Sequence, residues 1–178
     1  MNSVWKLLLF TATLFVSALV ARPQSPIFSA FEGTPYDIDF LGRQGWTQVL
    51  FEPTGGGEVI TKTSSPLIEE VLLAAVAMSK AVRATYRPGA GGEPNELQSV
   101  ELQAPDGCGN LDCVEKLRCD SGKATCFASL RGRTDEIATD QMRALGILLL
   151  AMRQRKGLEG VEVDKHSFVR VKVNYPRK

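Results

Sequence analysis

The chain has 178 residues, of which 44% are hydrophobic and 23% charged, and its formal net charge is +1. That length fits one domain or two very small ones, and the composition is that of an ordinary globular protein. The near-neutral balance excludes a uniformly basic nucleic-acid coat and an acidic disordered tail, and a single histidine excludes a His-rich metal site.

Residues 1–21 read as a secretory signal peptide. Lys6 is the one charge, Leu7 to Phe10 open an apolar stretch that runs to Ala21, and Ala18 and Ala21 offer two cleavage points. The stretch is shorter than the ~20 residues that span a bilayer comfortably. The expectation is a secreted or periplasmic protein with no membrane span after cleavage. The remaining charges balance by cancellation. Arg22 to Asn110 carries eleven acidic and six basic residues, whereas Met152 to Lys178 carries three acidic and eight basic ones.

Residues 22–35 contain Pro23, Pro26, Gly33 and Pro35 without a hydrophobic period, and read as an extended lead-in. Phe28 and Phe31 lie in it, where no period buries them; they either plug a groove of their own domain or enter a partner. Residues 36–178 then read as a single domain. Tyr36, Ile38 and Phe40 alternate with Asp37 and Asp39 as a half-buried strand, Trp46 to Phe51 form a second, and Glu58 to Thr63 a third. Ser65 is a good helix N-cap and Pro66 suits the first helical position. Glu69 and Glu70 favour the positive end of the dipole. The run to Met78 is apolar all round and predicts a buried helix ending near Lys80. Val82 to Tyr86 and Leu97 to Leu102 predict two further strands around the glycine-rich turn 88–95.

Cys108, Cys113, Cys119 and Cys126 stand within the predicted loop 105–126. An even count behind a signal peptide predicts two disulfides, with all three pairings open. Short local loops contribute about 2 kcal/mol each. The spacing holds no C-x2-C, which argues against zinc. After the loop, Thr125 to Leu130 predict a strand. Thr134 is the expected cap of a second helix with its core at Ala144 to Met152, and Val161 to Val163 and Val169 to Tyr175 predict two last strands.

The order is β-β-β-α-β-β, a cysteine loop, then β-α-β-β. It predicts an α+β fold: an antiparallel sheet or a small OB-like barrel packed with two buried helices. Over Tyr36 to Leu102 the element order resembles that of OB-type barrels, which the small B subunits of AB5 toxins share. The resemblance rests on element order and on no sequence motif.

Candidate chemistry is sparse. His166 sits beside Asp164 and Ser167 in a predicted turn, without a nucleophile-elbow pattern. Asp37 and Asp39 share a strand face, as a carboxylate pair would need to. Gly55 to Gly57 and Gly89 to Gly92 lack the strand-loop-helix context of a phosphate cradle and read as turns. Arg83, Arg87, Arg170 and Lys172 lie on strand faces opposite apolar ones and would form one basic face if their strands were neighbours. The sequence therefore predicts an exported, non-catalytic binding protein without cofactor or metal, for a protein, glycan or anionic ligand and not for nucleic acid. Two alternatives are an extracytoplasmic hydrolase using Asp37 and Asp39, and a homo-oligomeric, ring-forming toxin-like or structural subunit.

Overall fold

The structure, a computed structural model, describes residues 28–41, 44–107, 111–163 and 171–174. The segment 1–21 predicted to be a signal peptide, Cys108, His166 and Arg170 lie outside the described residues.

Strand β1 (Ser29–Leu41) is long enough to serve two neighbours. Its first five residues pair antiparallel with β4 (Val82–Arg87), and from Gly33 onward it pairs with β2 (Trp46–Pro53). Gly33 sits where both pairings meet, and a Cβ there would lie 2.8 Å from the carbonyl oxygen of Glu52. Only glycine admits that approach. A register shift between Pro35 and Asp37 then bends the strand. The predicted lead-in is thus sheet from Ser29 onward. Gly33 and Pro35, which hide the period in the sequence, are the bending points of a strand.

β2 continues into β3 (Val59–Thr63), and helix α1 (Pro66–Met78) carries the chain across to β4. Ser65 caps α1 by accepting a hydrogen bond from the Ile68 N–H, with Pro66 in the first turn, and Ser79 closes it in the left-handed region. β5 (Asn95–Gln103) pairs with β4 along its length. Its first two residues also pair parallel with Thr61 and Lys62 of β3. Strands β3-β2-β1-β4-β5 therefore close into a five-stranded mixed barrel of OB type, with the helix between the third and fourth strands. The fold class read from the sequence is the observed one.

Beyond the barrel the sheet continues from β5 into β6 (Val114–Asp120), β7 (Thr125–Leu130) and β8 (Ile137–Thr139). β6 and β8 were not expected. The spacing of buried Val114, Leu117 and Cys119 is broken by a register shift between Val114 and Lys116, so the cysteine segment has no visible period. It is half strand and not a loop. Thr134 does not cap the second helix: Ile137 and Thr139 are buried in β8, and α2 (Met142–Gln154) starts later, with Gln141 at its N-cap and the Gln141 N–H donating to the Thr139 hydroxyl.

Cys119 and Cys126 stand opposite each other in the β6–β7 hairpin, are disulfide-bonded with Cα atoms 4.0 Å apart, and are fully buried. Cys113 is disulfide-bonded as well. β9 (Glu159–Val163) and β10 (Val171–Asn174) form a separate antiparallel pair that packs on α2 and β8. One hydrophobic core runs through the domain, from Val49 and Phe51 in the barrel through Ile68 and Leu72 of α1 to Leu145 and Leu148 of α2.

Candidate functional site

The residues singled out from the sequence do not converge. Arg83 and Arg87 lie on β4, whose neighbours are β1 and β5, whereas Lys172 lies on β10 in the other sheet. β4 and β10 are therefore not neighbours within one sheet. Arg83 stands opposite Glu32 on one side and Glu101 on the other, and Glu101 stands opposite Arg118. This row alternates in sign across four strands, and opposite charges in such pairs favour one register. Arg87 is ion-paired with Glu96. Arg118 lies 5.2 Å from the centroid of the Phe127 ring.

Phe31 is the plug of its own domain, edge-on to Phe51 at 5.0 Å and tilted against Tyr86 at 5.8 Å. Phe28 is exposed. Asp37 and Asp39 do share the outer face of β1, both are exposed there, and neither lines the barrel-mouth cleft or the groove beside it described below.

A cleft forms instead at the mouth of the barrel. Trp46 begins β2 immediately after the β1–β2 turn, and Lys62 ends the parallel seam of β3 with β5. The Lys62 ammonium lies 5.7 Å from the Trp46 ring centroid and 3.1 Å from a Glu93 carboxylate oxygen. Glu93 is placed by the β4–β5 loop, which folds tightly because residue 89 is glycine. A Cβ at Gly89 would fall 2.0 Å from the Glu93 carbonyl oxygen. Asn95 fixes the same loop, accepting from the Gly89 N–H and donating to the Ile60 carbonyl across the seam.

The cleft encloses about 190 Å³ between Gly45, Trp46, Lys62, Ser64, Glu96 and Ser121. It adjoins a groove of about 450 Å³ that shares Ser64 and Ser121 and reaches Leu67, Asp140 and Met142. An aromatic ring, apolar patches and a rim of hydroxyl and carboxylate groups line these two neighbouring depressions.

The outer face beside it belongs to the first three strands. Thr47, Val49 and Phe51 point into the core, so Gln48 and Leu50 point outward, aligned with Asp39 and Asp37 of β1 and with Lys62 and Ile60 of β3. Tyr36 donates to the Glu58 carboxylate, which pushes the phenol pKa up to about 12 because that carboxylate favours its protonated form. With Glu52 and Glu58 also exposed, this face carries more negative than positive charge.

In the sequence Trp46 reads only as the start of the second strand, and Lys62 only as part of the third. The available signal was a tryptophan at the start of a second strand combined with a Gly-rich loop between the fourth and fifth. Among the described residues no group of His, Cys, Asp and Glu could hold a metal ion, and no helix is long and apolar enough to cross a membrane. Compared with protein-family models, with curated proteins and with solved structures, the chain matches none.

Proposed function

We propose that the protein is an exported, disulfide-bonded, non-catalytic binding protein that takes a neutral sugar chain in the cleft beside Trp46. The observation that carries this reading is the placement of a half-exposed Trp46 at the mouth of an OB-type barrel, beside the β4–β5 loop. Barrels of this type present the same region, the second and third strands with the two flanking loops, to oligosaccharides and oligonucleotides. The charge of the neighbouring face supports the first of these: Asp37, Asp39, Glu52 and Glu58 would repel a phosphate backbone. A sugar ring offers an apolar C–H face to stack on the indole and hydroxyls for Ser64, Glu96 and Ser121 at the rim. Export is supported by the signal-like first 21 residues and is compatible with the buried Cys119–Cys126 bond.

A screen of the purified protein on an array of neutral and anionic oligosaccharides tests the reading, followed by calorimetry on the best ligand. Trp46→Ala should weaken binding at least about tenfold, the equivalent of roughly 1.4 kcal/mol, with an unchanged melting temperature. A preference for anionic chains, no binding to any neutral glycan, or equal affinity in the variant would each overturn it.

A further inference from the structure

The helix pair carries a second surface, which shares no residue with the Trp46 cleft. Helix α1 is apolar from Val71 to Met78, yet it is not covered all round: Leu73 and Val76 are each 40% exposed, and Leu150 of α2 is 42% exposed. A groove of about 270 Å³ runs between the two helices. Its floor is open at Gly146, where an added Cβ would meet nothing within 4 Å.

The two helices have the same length, and both N-termini border the hydroxyl-lined groove described above. They therefore run side by side in the same direction. Glu70, near the start of α1, and Arg153, near the end of α2, both line the inter-helix groove. They occupy diagonally opposite corners, with Leu73, Ala74, Leu149 and Leu150 between them. Neither forms an ion pair among the described residues.

We infer that this face docks a second copy of the same chain in a twofold dimer. The charge pattern selects that occupant. A patch with a carboxylate at one corner and a guanidinium at the opposite one is complementary to itself. A twofold axis lying across the diagonal brings each Glu70 to the other copy's Arg153, twice, while the apolar strips meet between them. The patch has no excess charge to favour an acidic or a basic foreign partner. Isologous contacts of this kind close after two copies, so the assembly is a dimer and not a ring. Burial of Leu73, Val76 and Leu150 supplies the favourable term, and the two ion pairs set the orientation.

Sedimentation equilibrium of the purified protein between about 1 and 100 µM, in physiological salt, should show a monomer–dimer equilibrium. Glu70→Arg alone and Arg153→Glu alone should each weaken dimerisation at least about tenfold, since each places like charges at both corners. Mixing the two variants should restore the dimer, because a guanidinium then faces a carboxylate at both corners of the mixed pair. Leu73→Glu with Leu150→Glu should give a monomer that keeps its circular dichroism and melting temperature. A wild-type monomer at 100 µM, an assembly larger than two, or a dimer untouched by the leucine changes would overturn the inference. So would a mixture of the charge variants no more dimeric than either alone.

Discussion

Thr47 and Glu69 show how one polar contact can be mistaken for another. In the sequence, Glu69 is explained by the positive end of the α1 dipole. In the fold, its carboxylate accepts a 2.7 Å hydrogen bond from the Thr47 hydroxyl, and Thr47 is only 3% exposed. The bond ties the barrel wall to the helix, and its charged acceptor makes it stronger than a neutral one. Thr47→Val keeps the shape and removes the donor, so the half-buried carboxylate loses its partner. The expected cost is about 1–2 kcal/mol in urea unfolding, with Thr47→Ser retaining most of the stability. Exposed ion pairs such as Arg131–Glu115 should matter less, because solvent screens them.

Among the elements, the β6–β7 hairpin holds the extension of the sheet together. Asp112 precedes it and is held from several sides. Its N–H donates to the Arg131 carbonyl, its carbonyl accepts from the Leu158 N–H after α2, and its carboxylate accepts from Arg133 Nε at 2.5 Å. That last contact raises the Arg133 pKa further above its ordinary value. Cys113 bridges to Gly157 beside it. The end of α2 is thereby pinned to the hairpin, and the Cys119–Cys126 bond locks the two strands in register. Replacing both Cys119 and Cys126 by Ala should cost about 2–3 kcal/mol in denaturant unfolding, combining the entropy of a short loop with lost packing at a buried site. An unchanged midpoint would show that the hairpin ladder alone sets the register. Peptide mapping without reduction should recover the Cys119–Cys126 peptide.

At the scale of the molecule, barrel closure is the step on which the site depends, and it rests on a narrow seam. β3 and β5 pair at Thr61 with Asn95 and at Lys62 with Glu96, and the Asn95 side chain fastens one end of this seam, to the Ile60 carbonyl and the Gly89 N–H. Asn95→Ala should cost about 1 kcal/mol and speed amide exchange selectively along β3, leaving β6 and β7 unaffected. Uniform acceleration across the sheet would show that the seam does not open by itself. The first helix, with its Ser65 cap and Pro66, was legible in the sequence because capping is a local interaction. The strand Val82–Tyr86 was legible because its apolar residues alternate, and Trp46–Phe51 because it is a short run rich in aromatic and β-branched residues after a glycine turn. β6 and β8 were not: a register shift hides one period, and the other strand has only three residues. Likewise Arg83 and Lys172 share an alternating pattern yet occupy different sheets, since no strand's own pattern names its neighbour. By itself, the order of apolar periods and caps along this chain determined an α+β domain with OB-type order, because those preferences act within a few residues. Only the tertiary structure decided that Trp46, Lys62 and Glu93 meet, that the arginine face is an alternating ladder, and that α1 keeps an uncovered flank. Each of those depends on which distant segments pair, and pairing is settled by burial over the whole molecule.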